Sequence, residues 1–245
     1  MSKKKILLIV VAVVFGAAAM FFGLLMYKFH AETKKMAPLA TGEVAPGIYA
    51  VLDDFVNIYL VRTKTGYIAF DAGNDADNAG AELKSLGIDP LAVRAVFLTH
   101  SDGDHVAAAG LFRNAVIYLA GEEEPMINGM TERAPFMRNR FDLDHRNLKD
   151  EHRIEADGAL VEAYLTPGHT PGSMSFLVNR ENLFTGDTLS LRDGKVGLFN
   201  EFFNMDSEEQ KRSISRIGGF KGVKRIFTAH YGYTADVPAA FRDWK

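Results

Sequence analysis

Residues 99–105 read Thr-His-Ser-Asp-Gly-Asp-His, which places two imidazoles and two carboxylates within six residues. Neutral imidazoles and carboxylates are both metal ligands, so this stretch can supply half of the ligands of a site for two cations. The side chains concerned are His100, Asp102, Asp104 and His105. A polar turn in which Asp104 caps a helix is the alternative interpretation of the same residues.

The flanking residues place this stretch between a strand and a helix. An apolar run at 93–98 predicts a buried strand, and the apolar residues 106–112 predict a short buried helix. In α/β folds, chemistry usually lies where a strand ends and a helix begins. The flanks therefore favour a functional turn in an α/β domain.

Three later segments repeat this arrangement, in which a short apolar run ends at a histidine or an aspartate. The residues delivered in this way are His169, Asp187 and His230. One histidine, or one Gly-Asp pair, is usually an ordinary core, surface or turn residue. However, four of the seven histidines of the chain lie at such turns, which makes chance the poorer explanation.

Taken in order, these motifs resemble those of the metallo-β-lactamase-fold superfamily of metal hydrolases. That family carries a His-x-His-x-Asp-His motif followed by a histidine, an aspartate and a final histidine. The resemblance covers about residues 45–233. It implies an α/β fold, a four-layer αβ/βα sandwich with metals at one edge of its two sheets.

The resemblance also implies which side chains bind metal. Two divalent metal ions are expected, with zinc as the first choice. The first would be held by His100, Asp102 and His169. The second would be held by Asp104, His105 and His230, and Asp187 would bridge the two.

Asp102 is a departure from the family pattern, which has histidine at this position. A carboxylate still binds metal, but it is a harder ligand than imidazole and shifts the preference towards iron or manganese. Redox-active di-iron relatives also carry a carboxylate here, although theirs is glutamate and they have an added flavin domain. The first metal site is therefore expected either to differ in metal preference or to be weak.

The implied reaction is hydrolysis by a metal-bound hydroxide, for which no serine nucleophile is needed. Asp104 would orient the water or accept a proton, and Tyr231 or Tyr233 would donate one to the leaving group. Asp71, which ends an apolar run, would buttress the metal ligands. A turn-initiating aspartate is the alternative role for Asp71.

The substrate class follows by elimination. The chain has no cysteine to act as the zinc ligand of true β-lactamases, and only 15 residues follow His230, so the helical domain of glyoxalase II-type thioesterases is not expected. A hydrolase of a small ester, lactone, thioester or amide is expected. An iron-dependent oxidoreductase of the same fold and a binding or sensor domain with a decayed site are the alternatives.

Residues 6–27 carry no charge and follow three lysines. As a helix they would span about 33 Å, enough for a hydrocarbon core of about 30 Å. The run is long for a cleaved signal peptide and shows no polar face typical of a core helix. We expect residues 1–35 to form a tail, a membrane anchor and the start of a linker, and residues 36–245 to form the catalytic domain.

Charge restricts the partners. Residues 1–35 carry six lysines and one glutamate, which leaves 22 basic and 30 acidic residues elsewhere, a net charge of −8. Nucleic-acid binding favours a basic face, so no nucleic-acid partner is expected.

A short N-terminal tail favours a single-pass protein of the cell membrane with its catalytic domain on the non-cytoplasmic side.

Other patterns predict the surrounding elements. A hairpin is expected over 53–70 with its turn at 64–66, and helices over 76–86 and 206–217, the latter capped by Asp206. Residues 31–43 are expected to be a linker. Residues 122–151 predict either a lid that grips an organic acid or ester, or a pair of short solvated helices. This segment mixes Met126, Met130, Phe136, Met137 and Phe141 with Arg133, Arg138, Arg140 and Arg146.

Overall fold

The computed structural model describes residues 2–135 and 137–244, so Phe136 of the expected lid lies outside the described residues. The chain forms two compact units, Met1–Ala37 and Pro38–Lys245. The first unit contains helix α1, Lys3–Thr33, in which no residue is buried. By length and composition it is the one helix, among the described residues, that is able to cross a membrane.

Helix α1 is longer than the uncharged run that predicted it. The Ser2 side chain caps its first turn by accepting a hydrogen bond from the Lys5 amide. Lysine, which precedes and follows the apolar run, is a good helix former, so the helix continues through charged residues at both ends. The predicted linker at 31–43 is accordingly wrong at its start, where residues 31–33 are helical.

The second unit contains fifteen strands among its described residues. They are β1 Gly42–Ala45, β2 Ile48–Asp53, β3 Val56–Arg62, β4 Tyr67–Phe70, β5 Val93–Phe97, β6 Val116–Ala120, β7 Arg146–Leu148, β8 His152–Ala156, β9 Ala159–Leu165, β10 Met174–Val178, β11 Asn182–Phe184, β12 Ser190–Arg192, β13 Lys195–Gly197, β14 Arg225–Phe227 and β15 Tyr233–Thr234.

These strands form two large sheets and one hairpin. The first sheet has the order β1-β2-β3-β4-β5-β6-β7, and the second has the order β15-β14-β11-β10-β9-β8. Strands β4 to β7 pair in parallel, as do β11 and β14. Parallel strands end at the same edge of a sheet, which gathers the loops that follow them.

Helices cover the two sheets. They are α2 Ala76–Ser85, α3 Gly103–Val106, α4 Glu124–Ile127, α5 Ser207–Gly218 and α6 Val237–Phe241. Helix α2 buries Leu83 in the apolar cluster on the outer face of the first sheet. Helix α5 buries Ile214 and Ile217, and its Arg216 donates a hydrogen bond to the Leu165 carbonyl of β9.

The main core lies between the two sheets. Phe70 and Phe97 of the first sheet pack against Phe176 and Phe184 of the second, and the rings of Phe70 and Phe184 stack at 4.0 Å. Aromatic side chains of this size bury a large apolar area, so they hold the sheets face to face. The predicted four-layer αβ/βα sandwich is confirmed.

Two local predictions are confirmed: the hairpin turn at 64–66 between β3 and β4, and the cap of helix α5. Asp206 caps α5 by accepting a hydrogen bond from the Glu209 amide at 2.9 Å. The helix predicted at 106–112 is wrong: α3 ends at Val106 and a 3-10 turn follows at Ala109–Leu111. The reason is tertiary, since the Ala108 amide donates to the Ala72 carbonyl.

The pair of helices considered for residues 122–151 is also wrong. Its described residues contain one α-helix, α4, then a bridge between Ala134 and Met137, and then β7. His145 of this segment pairs with Glu124 at 2.9 Å.

Candidate metal centre

All seven side chains singled out in the sequence follow the ends of strands. Residues 100–105 follow β5, His169 follows β9, Asp187 follows β11 and His230 follows β14. The fold brings all seven to one place. Within each of three overlapping groups, the potential ligand atoms lie no more than 4.8 Å apart: His100 with Asp102 and His169, His100 with His105 and Asp187, and Asp104 with His105 and His230.

We call His100, Asp102 and His169 the first triad. The Asp102 carboxylate lies 3.1 Å from His169 Nε2 and 3.5 Å from His100 Nε2. Asp104, His105 and His230 form the second triad. The Asp104 carboxylate lies 3.4 Å from His230 Nε2 and 3.7 Å from His105 Nε2.

Asp187 lies between the two triads and contacts the imidazoles of both. Its side chain is buried, and its two oxygens approach the Nε2 atoms of all four imidazoles. The distances are 3.3 Å to His230, 3.4 Å to His169, 3.6 Å to His105 and 4.0 Å to His100. This central place is the one that a ligand shared by two cations requires.

The four imidazoles are oriented in the same way. Each Nδ1 faces an oxygen that can accept its hydrogen, so each Nε2 points into the centre, where it can bind a metal ion once it is deprotonated. The acceptors are Thr99 Oγ1 for His100 at 3.0 Å, Asp71 Oδ2 for His105 at 2.8 Å, Asn204 Oδ1 for His169 at 3.3 Å and the Phe55 carbonyl for His230 at 2.6 Å.

This orientation brings ligand-type nitrogen and oxygen atoms close together, a grouping that a metal ion would stabilise. His105 Nε2 and His230 Nε2 face each other at 3.3 Å. His100 Nε2 and Asp187 Oδ1 are buried and make no hydrogen bond within the described residues. Buried polar atoms are nearly always satisfied, so atoms of this kind point to a missing partner such as a metal ion. The donor set therefore fits a metal centre.

Electrostatics among these groups is strong. Burial by itself raises the pKa of the Asp187 carboxyl, but His230, His105 and His169 reverse this and hold that pKa well below its usual range. Burial lowers the pKa of His105, but the carboxylates of Asp71, Asp187 and Asp104 reverse this and raise it well above its usual value. Shifted pKa values of buried groups cluster at functional sites, so these directions favour a functional centre over a packed core.

His230 and His169 differ from each other. Burial lowers the pKa of His230, but the carboxylate of Asp187 outweighs burial and raises it. For His169, burial prevails over Asp187 and lowers the pKa. The first triad therefore presents His169 as a neutral ligand.

Asp71 makes the contacts that the predicted buttress requires. Besides His105, it accepts hydrogen bonds from the Thr99 amide at 2.7 Å and the Thr99 hydroxyl at 3.0 Å. Since that hydroxyl faces His100 Nδ1, one carboxylate orients His105 directly and His100 through Thr99.

Tyr231 lies one ring away from the imidazoles. Phe199 packs against His169 and His230, with ring centres 5.0 and 5.4 Å apart, and Tyr231 packs edge-on against Phe199 at 5.9 Å. The Tyr231 hydroxyl accepts a hydrogen bond from Arg192 at 2.9 Å. Tyr233 stacks instead on Phe227 and is more exposed than Tyr231.

Sequence reasoning missed Glu123, which is fully buried. Its carboxylate accepts hydrogen bonds from the amide and hydroxyl of Ser101, from the Thr170 hydroxyl at 2.6 Å and from the Gly172 amide at 2.9 Å. Ser101 lies between His100 and Asp102, and Thr170 follows His169, so Glu123 joins the two loops of the first triad. Three consecutive glutamates at 122–124 offered no signal that would single it out.

Arg133 was also missed as a member of the site. Its Nε lies 2.8 and 2.9 Å from the two oxygens of Asp102, and its Nη2 lies 3.2 Å from His169 Nε2. The pattern placed it only among the arginines of residues 122–151. Nothing in its spacing linked it to Asp102, which is 31 residues away.

Residues 51–230 match the family model of the metallo-beta-lactamase superfamily, which is more than half of the chain. The chain belongs to this superfamily. The match begins in β2 and ends at His230, so it contains both triads and Asp187.

Relatives within the superfamily carry hydrolase names. The probable metallo-hydrolase YqgX of Bacillus subtilis is 29% identical over 143 residues, 54% of this chain and 65% of that protein. The probable polyketide biosynthesis zinc-dependent hydrolase BaeB of Bacillus velezensis is 34% identical over 134 residues, 52% of each chain. This chain therefore spans about half to two thirds of the length of these relatives.

Solved structures show the same fold. One is described as the first B3 metallo-beta-lactamase with an active site glutamic acid. It superposes with a TM-score of 0.66 at 20% identity, covering 86% of this chain and 88% of its own. At this identity the likeness establishes the superfamily fold.

Proposed function

We propose that this superfamily member is a membrane-anchored, metal-dependent hydrolase of a small ester, lactone, thioester or amide. One observation carries the proposal: the Nε2 atoms of four imidazoles converge with three carboxylates, while two buried ligand-type atoms lack a hydrogen-bond partner among the described residues. The hydrolase names of the two curated relatives support the reaction class.

The proposed cofactors are two divalent metal ions. The first triad would hold one and the second triad the other, with Asp187 shared. Zinc is the metal we favour, with iron or manganese as alternatives because three carboxylates harden the donor set. When bound, the metals supply Lewis acidity, which lowers the pKa of a water ligand and polarises the substrate carbonyl.

The remaining roles belong to the protein. Asp104, whose side chain is more exposed than that of Asp187, would accept a proton as the water attacks. Asp71 would hold His105 in its tautomer and orientation. Tyr231 would donate a proton to the leaving group, since Arg192 donates to the Tyr231 oxygen and leaves the phenolic hydrogen available.

Membrane anchoring by α1 is part of the proposal. Its 31 residues span about 46 Å, and the uncharged part alone exceeds a hydrocarbon core of about 30 Å. We place the catalytic domain on the non-cytoplasmic side. The test is resistance of the full chain to alkaline carbonate extraction together with digestion of the domain by protease added to intact cells. Release by carbonate would contradict the anchor, and protection from protease would contradict the orientation.

The activity is tested with the full chain in detergent. We expect zinc by elemental analysis and turnover in a panel of simple esters and lactones. Asp104→Ala should lose turnover and metal, whereas Asp77→Ala, which changes an exposed carboxylate on α2, should retain both. Iron with oxygen uptake would favour an oxidoreductase. Metal and turnover unchanged in Asp104→Ala would overturn the proposal.

A further inference from the structure

The side chain of Arg133 enters the first triad. Its Nε contacts both oxygens of Asp102 at 2.8 and 2.9 Å, and its Nη2 donates to His169 Nε2 at 3.2 Å and to the Phe203 carbonyl. The side chains of Arg133 and Asp102 are only 11% and 16% exposed. This is a largely buried ion pair, which water screens far less than a surface pair.

Arg133 uses the same atoms that a metal at the first triad would use. His169 Nε2 and Asp102 Oδ2 lie 3.1 Å apart and both need a positive partner, which the guanidinium provides. A guanidinium stays protonated throughout the usable pH range. A metal ion could bind both atoms only if Arg133 withdrew its hydrogen bonds, and two cations in this space would repel each other.

In the part of the chain that the structure describes, the second triad has no comparable cationic side chain. Among the described residues, the close contacts of the Asp104 carboxylate are the imidazoles of His105 and His230. Asp187, which lies between the two triads, contacts imidazoles through its carboxylate. The two halves of the centre therefore differ in one respect: a cationic side chain is already present in the first.

We propose that Arg133 is an internal cation that competes with metal at the first triad, so that the two sites fill unequally. This inference rests on the proposed function, because it concerns the same centre. The second triad fills first and tightly. The first triad fills weakly, and only as Arg133 leaves Asp102.

Asp102 and Arg133 form a matched pair in this scheme. An imidazole at position 102 would give the guanidinium no carboxylate to bind, whereas Asp102 offers it two oxygens. Asn139 adds a second donor to the same carboxylate at 2.8 Å. The aspartate that departs from the family pattern and the arginine that neutralises it thus act together.

The test is a calorimetric zinc titration of the full chain in detergent, after bound metal has been removed with a chelator. The wild type should show one tight and one weak equivalent. Arg133→Met should raise the affinity of the weak equivalent by at least about tenfold, or about 1.4 kcal/mol, and leave the tight one unchanged. Arg138→Met is the matched control, since Arg138 lies in the same segment, is 59% exposed and faces Glu132; it should change neither.

A double-mutant cycle tests the coupling to Asp102. Asp102→His should also tighten the weak equivalent, because it restores an imidazole and removes the partner of Arg133. In the Asp102→His background, Arg133→Met should then raise the zinc affinity of the weak equivalent much less than it does in the wild type. Equal gains in both backgrounds would contradict a mechanism that acts through Asp102.

The outcomes separate the two proposals. Two zinc equivalents of equal affinity, unchanged in Arg133→Met, would overturn this inference and leave the hydrolase proposal intact. Failure of the wild type and all variants to bind zinc, iron or manganese would overturn both. If Arg133→Met loses its cooperative thermal transition, Arg133→Lys is titrated instead. Lysine keeps the positive charge, so the second zinc equivalent should still bind weakly. Tight binding of that equivalent in Arg133→Lys would overturn the inference.

Discussion

Asp71 Oδ2 accepts a hydrogen bond from His105 Nδ1 at 2.8 Å, while Asp71 Oδ1 accepts one from the Thr99 amide at 2.7 Å. The backbone of Asp71 is left-handed, with φ of 61°. Aspartate and asparagine adopt this conformation far more readily than β-branched or bulky residues do. A residue at the end of β4 thus connects the backbone of one ligand loop to the ring of a ligand on that loop.

Asp71→Asn should weaken zinc binding at the second triad by about 10–100-fold. Asparagine suits the backbone, but it lacks the negative charge that orients and polarises the His105 ring. Competition with a chromogenic chelator measures the change. Asp75→Asn is the control, because Asp75 caps α2 and asparagine caps equally well. Unaltered zinc affinity in Asp71→Asn would show that Asp71 is only a turn residue.

Glu123→Ala should destabilise the catalytic domain by at least about 3 kcal/mol, because it leaves three buried donors, the amides of Ser101 and Gly172 and the Ser101 hydroxyl, without their acceptor. For a domain of this size that lowers Tm by roughly 6–12 °C. Thermal unfolding of the full chain in detergent measures the shift. Glu122→Ala, which changes the exposed neighbour, should move Tm very little. Equal shifts in the two variants would mean that Glu123 does not tie the ligand loops together.

Zinc affinity should keep rising with pH above about 6.5, the ordinary pKa of histidine. The pKa values of His105 and His230 are raised, so zinc must displace protons from them at neutral pH. The same protons stabilise the metal-free fold fully below about pH 6.5, and this stabilisation is lost as pH rises through the raised values. Titrations at about pH 6, 7 and 8 in buffers of different ionisation enthalpy measure both effects. A plateau above pH 6.5 would contradict the prediction.

Tyr231→Phe should lower kcat by about 100-fold or more while leaving KM nearly unchanged, since it removes a proton donor needed only in the transition state. Tyr233→Phe is the matched control and should retain full kcat, because its ring stacks on Phe227 away from the imidazoles. A poor leaving group makes the contrast largest, and an activated ester should reduce it. Equal activity of both variants on a poor leaving group would remove Tyr231 from the mechanism.

The local sequence pattern predicted secondary structure correctly where residues close together in the chain determine it. Runs of apolar residues predicted the strand that ends at Phe97 and the long helix α1, and capping chemistry predicted the cap at Asp206. The order of histidines and aspartates at strand ends also predicted which seven side chains meet. Parallel strands end at one edge of a sheet, so residues distant in sequence arrive at the same place.

Only the tertiary structure decided which residues orient the seven side chains and which charged groups surround them. The short helix after His105 ends early because Ala108 bonds to the loop that follows β4. Glu123 and Arg133 contact the centre through residues that are 22 to 49 positions away in the sequence. The sequence around each of them is like that of an ordinary solvent-exposed charged segment. Hydrophobic patterning determines which residues are buried, but hydrogen bonds between distant loops determine which polar atoms meet there. The sequence by itself therefore specified the donor atoms, and the fold alone specified the buried acid and the internal cation beside them.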